Sequence, residues 1–268
     1  DIAFWAETIG DRGYREAIAL IGEAGSGKNR AVYNYAKSKG LPLLVIPCDD
    51  SQILNMMLGH WTAQNGTTVW KEGILVGFLR RPSVVMFDEI NCIPPSRAFM
   101  MHELLENRKL FSKDAPSESS MVEVHPDCRL FMAMNPPTAG YSGTNRLNTA
   151  LSNRAVFIEV PSFRPEELDV DTGNVETTKN LIRFYDEVKR TVKSQGLRVV
   201  MSIRNVNRMA MAIKQGAGIK AAVEHGFINS ALATASEIEK NTLLDIARTI
   251  FGAIEMDGKN IDMKNVWK

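Results

Sequence analysis

The sequence predicts an α/β domain on a mainly parallel, five-stranded sheet, followed by a smaller all-helical domain. Three observations carry that prediction. Five short apolar runs, rich in Val, Ile, Leu and Phe, alternate with helix-like segments up to residue 160. Strands separated by helices imply a parallel sheet covered on both faces. A glycine-rich loop, "GEAGSGKN" (22–29), follows the first run and opens a helical segment. At "PSFRPEELD" (161–169) two prolines and a charge cluster mark a hinge, after which strand-like runs nearly stop. The predicted domains are therefore 1–163 and 164–268.

The predicted strands, in order, are "AIALI" (17–21), "LPLLVIP" (41–47), "SVVMFDE" (83–89), "RLFMAMN" (129–135) and "AVFIEV" (155–160), each bounded by Gly, Pro or Asp. "KNRAVYNYAKSKG" (28–40) has helical spacing and a closing Gly40. "SRAFMMHELLENRK" (96–109) places Phe99, Leu104 and Leu105 toward one side, with Ser96 as its N-cap. "NRKLFSKDAPSESSMVEVHP" (107–126) reads as a hairpin, and "GHWTAQNGTTVWKEG" (59–73) as an insert interrupting the helix after the second strand. Beyond the hinge, "NVETTKNLIRFYDEVKRTVKSQG", "SIRNVNRMAMAIKQG", "AAVEHGFINSALAT" and "ASEIEKNTLLDIARTIFGAIE" all read as helices.

Composition narrows the function classes. With 32 basic and 31 acidic residues the formal charge is +1, so there is no bulk electrostatic footprint for nucleic acid or a membrane surface. No apolar run approaches the ~18 residues of a membrane span, and no charged-then-apolar signal opens the chain. The first residue is Asp1 rather than Met, which allows a longer protein upstream. Cys48, Cys92 and Cys128 are odd in number and widely spaced, which fits reduced thiols in a cytoplasmic protein better than a disulfide framework or a zinc site.

Chemistry gathers in three places. In the loop, Gly22, Gly25 and Gly27 free the backbone so that N–H groups of Gly22, Glu23, Ala24, Gly25, Ser26, Gly27, Lys28, Asn29 and Arg30 can turn toward one anion. Lys28 supplies charge for β and γ phosphates, and the following helix adds its positive end. The alternative is a structural glycine turn. "VVMFDEIN" ends a buried strand with Asp88 and Glu89 at the edge of the sheet where open α/β folds bind ligands. Asp88 there suits Mg²⁺, and Glu89 suits the activation of a water. "LFMAMNP" ends another strand in Asn135, an amide able to bond a γ-phosphate, though an Asn after a strand is also ordinary turn chemistry.

Together these residues resemble an AAA+ ATPase of the MoxR type, the branch of the CbbQ, NirQ and CobS-like proteins, related to dynein and midasin modules. The likeness spans about residues 15–165. It includes "GHWTAQNGTTVWKEGILVGFLRRPSVVMFDEIN", "HELLENRKLF", "HPDCRLFMAMNP" and "GYSGTNRLNTALSNR", in that order. The resemblance implies a P-loop AAA+ module with a helical lid, ATP and Mg²⁺ as cofactors, and a homo-oligomeric, hexameric ring. It makes Lys28 the Walker A lysine, Asp88 and Glu89 the Walker B pair, and Asn135 sensor 1. Arg154 becomes the arginine finger acting on the neighbouring subunit. "MSIRN" resembles sensor 2, with Ser202 capping the lid helix and Arg204 reaching the γ-phosphate. It further implies a protein client, often with a von Willebrand A-like partner, and inserts that face the ring's pore, where Trp61 and Trp70 could grip it or simply pack.

Departures from the family pattern matter. Asn29 stands where Ser or Thr gives a hydroxyl to Mg²⁺. Its carbonyl oxygen is also a hard ligand on a longer stem, which leads us to expect weaker Mg²⁺ binding and turnover. Ala155 replaces the usual Phe after the finger, so Arg146 competes with Arg154; Arg208 competes with Arg204. "HELLE" lacks the second His of a zinc protease motif. The Met-rich "FMAM" and "MAMA" read as core filler, Asp49 and Asp50 as helix caps, and His225 has no partner suggested by spacing. Two other function classes remain: a nucleic-acid motor or restriction-type NTPase subunit, and a nucleotide-gated scaffold with turnover weakened by Asn29.

Overall fold

The structure, a computed structural model, describes residues 2–11, 16–48, 58–93, 95–112, 114–117, 120–136, 147, 149–161, 168–231 and 236–252. The main division of the chain falls between Val160 and Pro161. Asp49, Asp50 and Arg146, together with most of the 161–169 hinge, lie outside the described residues.

In the first unit the predicted strands appear as β1 (Ala17–Ile21), β2 (Leu43–Pro47), β5 (Ser83–Asp88), β8 (Cys128–Met134) and β9 (Ala155–Glu159), in the order β2-β5-β8-β1-β9. All neighbours are parallel, with Ile21 opposite Met134 and Phe87 opposite Met132. The three central strands are mostly apolar because both faces are buried, with Arg129 of β8 a charged exception. Ala17, Ala19, Val85, Phe87, Leu130 and Met132 enter one core with Leu104 and Leu105. Ile18, Leu20, Val84, Met86, Phe131 and Ala133 enter the opposite one with Val32 and Ala36. Helix α2 (Lys28–Ser38) covers that second face alongside α1 (Ile2–Asp11).

Between β2 and β5 stands a hairpin, β3 (Gly59–Gln64) and β4 (Thr67–Glu72), then the short α3 (Ile74–Leu79). Its turn is Asn65-Gly66, both with positive φ (50° and 76°), the backbone that a tight hairpin demands. Trp61 and Trp70 face each other across the ladder with centroids 5.5 Å apart, and Trp61 is half exposed. After β5, α4 (Pro95–Glu106) leads to the expected second hairpin, β6 (Lys109–Phe111) and β7 (Met121–Glu123). Trp61 Nε1 donates to the carbonyl of Asp114 at 2.7 Å, tying the first hairpin to the second. Helix α4 starts one residue before the Ser96 expected to cap it, since Pro is well suited to a first helical position. A short α5 (Thr149–Ser152) precedes β9.

The described residues of the second unit contain helices and no strand: α6 (Val175–Gln195), α7 (Ile203–Lys214), α8 (Ile219–Val223), a π-helical turn at Glu224–Ile228, α9 (Asn229–Ala231) and α10 (Glu237–Phe251). Leu181, Phe184, Tyr185 and Val188 line one stripe of α6 and pack with Val206, Met209, Leu243 and Ala247. Asn174 caps α6 through Thr177 N–H, and Ser236 and Glu239 form a capping box on α10. Met132, Met134 and Met209 are buried as core filler, whereas Met211 is exposed. His225 does have a partner, Asn229, one turn on. Among the described residues no helix is long and apolar enough to cross a membrane.

Candidate functional site

Three adjacent strands, β1, β8 and β5, run parallel and end at the same edge of the sheet. The glycine-rich loop follows β1, Asn135 follows β8, and Asp88 closes β5. Topology alone thus brings together residues more than 40 positions apart, at the crevice where open α/β sheets take ligands.

The loop turns through Gly25 (φ 79°) and Gly27 (φ 91°), conformations that a side chain would strain, and passes directly into α2. Lys28 is buried at the start of that helix. Its ammonium donates to Gly22 O (2.7 Å), Glu23 O (2.9 Å) and Asn135 Oδ1 (2.9 Å). A buried cation is costly unless such acceptors meet it. With Oδ1 turned to Lys28, Asn135 keeps its Nδ2 donor for an anion. Ser26 Oγ is buried with no hydrogen-bond partner among the described residues, an orphaned donor in the loop's wall. Arg30 is exposed.

Asp88 is held at both oxygens. Asn29 Nδ2 donates to Oδ2 at 2.6 Å, and the N–H of Glu89 to Oδ1 at 3.1 Å. A carboxylate only accepts, so the amide nitrogen of Asn29 must face it and Oδ1 must face away. The sequence exposed the replacement at position 29 without indicating this division of labour between the two amide atoms. Glu89 itself is exposed and left-handed (φ 54°, ψ 42°), an unusual backbone for a residue with a Cβ. Strain of this kind clusters where a side chain must be aimed. Asn91, the last residue of "DEIN", is buried. Its Nδ2 lies 3.5 Å from the carbonyl of Asn135, and its Oδ1 has no partner among the described residues.

Two arginines stand on other elements of the chain. Arg154, just before β9, donates Nε (2.9 Å) and Nη2 (2.6 Å) to Glu106 Oε2 at the end of α4. Sequence reasoning did not pick out Glu106 as a partner, because 48 residues separate the two. In the second unit Arg204 is exposed in the first turn of α7, behind Ser202, whose N–H and hydroxyl both reach Asn205 Oδ1. Its competitor Arg208 lies 3.5 Å from the Gly226 carbonyl. No group of three His, Cys, Asp or Glu able to hold a metal occurs among the described residues.

Residues 17–155 match the family model described as an AAA domain of the dynein-related subfamily. Protein NorQ from Paracoccus denitrificans is 28% identical over 243 residues, covering 88% of this chain and 86% of NorQ. Protein CbbQ from Hydrogenophilus thermoluteolus is 26% identical over 196 residues, 71% of each chain. Midasin from Giardia intestinalis is 30% identical over 193 residues, which make up 71% of this chain and 4% of midasin. With a parallel β2-β5-β8-β1-β9 sheet, a phosphate-type loop and these relatives, the chain belongs to the dynein-related AAA domain family, as a MoxR-type AAA+ ATPase.

Proposed function

We propose that this chain hydrolyses ATP within a homo-oligomeric ring, a hexamer, and uses the cycle to remodel a protein client. The observation that carries the proposal is a pair of contacts from neighbouring residues at the start of α2 to two strand ends: Lys28 to Asn135 after β8, and Asn29 to Asp88 at the end of β5. The boundary at 163/164 belongs to the same reading and is supported by the main division of the chain at Val160.

In this mechanism the loop amides and Ser26 hold the phosphates, and Lys28 exchanges its carbonyl partners for β and γ oxygens. Glu89 takes a proton from a water as that water attacks the γ-phosphorus in line, and the bond to the ADP oxygen breaks. Asn135 orients the γ-phosphate, and Arg204 and the neighbouring subunit's copy of Arg154 neutralise the charge that spreads over the phosphoryl oxygens. Asn29 Oδ1 and Asp88, both hard oxygen donors, would hold Mg²⁺, which would supply positive charge to offset that of the phosphates. The paired hairpins carrying Trp61, Phe111 and Met121, all about half exposed, are the surfaces we assign to the client, a protein with a von Willebrand A-like domain. Cys48, Cys92 and Cys128, none of them in a disulfide, support a reducing, cytoplasmic setting.

The test is steady-state phosphate release from ATP across protein concentration, with Glu89→Gln and Arg154→Ala alongside. Activity that rises cooperatively with concentration and falls on the order of 10³-fold in each variant supports the shared-site motor. Tight ATP binding without turnover at any magnesium level supports a second reading, a nucleotide-gated scaffold. The short Asn29–Asp88 bond is the observation that favours it. Stimulation by DNA with salt-sensitive binding would instead mark a nucleic-acid motor.

A further inference from the structure

We propose that Glu106 is the positioning residue for Arg154, holding the guanidinium in the attitude it needs to serve an adjacent subunit. The inference rests on the reading of Arg154 as a finger that acts in trans.

The geometry is that of a guide rather than an incidental surface pair. One carboxylate oxygen, Glu106 Oε2, takes both Nε and Nη2 of Arg154, at 2.9 and 2.6 Å, so the side of the guanidinium is fixed as well as its charge. Both ends stand on rigid elements. Glu106 closes α4, whose Met101, Leu104 and Leu105 are buried in the core that also holds Leu151. Arg154 is anchored by its own backbone: its N–H donates to Leu151 O, and its carbonyl lies 3.4 Å from Ala17 N at the entrance to β9. The Arg154 side chain is one-quarter exposed and that of Glu106 about half, so the pair sits at the surface where a neighbour can reach it.

A long arginine loses considerable rotamer freedom on being fixed, and pairing within the subunit moves that loss from the catalytic step to folding. Helix α4 also begins just beyond the Walker B turn at Ile90–Cys92. The residue steering the finger therefore stands on the element that continues from the same subunit's Asp88 and Glu89.

The experiment uses mixed rings. A Glu89→Gln subunit offers an intact Arg154 but cannot hydrolyse; an Arg154→Ala subunit has an intact pocket but no finger. Mixed, they regain ATPase activity where the first completes the site of the second. Glu106→Gln added to the Glu89→Gln subunit should lower that regained rate roughly tenfold or more. Added to the Arg154→Ala subunit, it should change the rate less than twofold. Glu106→Asp in the first position should recover part of the loss, and KM for ATP should stay within twofold throughout. Equal losses from either position, or none from the first, overturn the role of Glu106 while leaving the finger intact. Failure of the parent variants to complement overturns Arg154 as a finger in trans, and this inference with it.

Discussion

Asn29 donates its amide nitrogen to Asp88 at 2.6 Å and so divides between two atoms what one hydroxyl does in the usual motif. Nδ2 steadies the Asp88 carboxylate, while on the proposed reading Oδ1 would serve Mg²⁺. Replacing it with Asp would remove the donor and set two carboxylates against each other. Asn29→Asp should therefore bind ADP at least roughly tenfold more weakly without metal, about 1.4 kcal/mol, and regain affinity as Mg²⁺ is added. Asn29→Thr should reach half-maximal activity at lower Mg²⁺ than the parent. Fluorescent-ADP titrations check the first, and a magnesium titration the second; superimposable magnesium curves would sink this account of Asn29.

Glu89, to which we assign water activation, carries a left-handed backbone. Its left-handed conformation suits glycine, so Glu89→Gly should be more stable than Glu89→Ala by about 1 kcal/mol, although neither hydrolyses ATP. Urea melts of the two proteins would show it.

The first hairpin depends on a close approach. A Cβ on Gly59 would lie 2.5 Å from the Trp70 ring and 2.7 Å from Lys71 O, at a φ of 140°. Gly59→Ala should loosen the ribbon at a local cost of about 1–3 kcal/mol while sparing the central sheet. Limited proteolysis should then cut within 59–72 much faster, with the cleaved core still folded.

Acid should weaken the helical unit in a definable way. The Lys214 ammonium, followed by the Gly173 N–H, holds Asp171 below the ordinary 3.8. The N–H groups of Ser236 and Arg198 hold Glu239 below 4.5. Folded values lower than unfolded ones stabilise the fold above the unfolded pKa, and the gain is lost as pH falls through the folded value. Thermal melts should show Asp171→Asn and Glu239→Gln less stable than the parent at pH 7. Those gaps should close in the acid range; gaps independent of pH would contradict the assignment. Asp171 is exposed and Glu239 partly so, so the effect is small and screened by salt.

The three central strands were legible because burial on both faces writes them as largely apolar runs, as in "VVMF" and "LFMAM", and the edge strands β2 and β9 because they stay rich in Leu, Val and Ile. The 59–72 hairpin was read only as an insert. Its exposed residues include Thr67, Thr68, Gln64, Val69 and Trp61, and its one clear signal was the Asn65-Gly66 turn. Local sequence also placed Lys28, Asp88 and Asn135 at strand ends, since strand order then sets them side by side. It was silent on Glu106, whose partner lies 48 residues away, and on the orientation of the Asn29 amide, which only the Asp88 carboxylate decides. Met211 shows the limit of composition: it shares a helix with buried Met209 but points to solvent.

The bond from Trp61 to the Asp114 carbonyl joins two projections from distant parts of the chain into a single jaw. A load applied to either ribbon is divided between them rather than bending one alone. The 109–123 ribbon springs from the chain directly after α4, so the divided load arrives at Glu106. If Arg154 acts as proposed, a pull on the jaw would reach its guanidinium through Glu106.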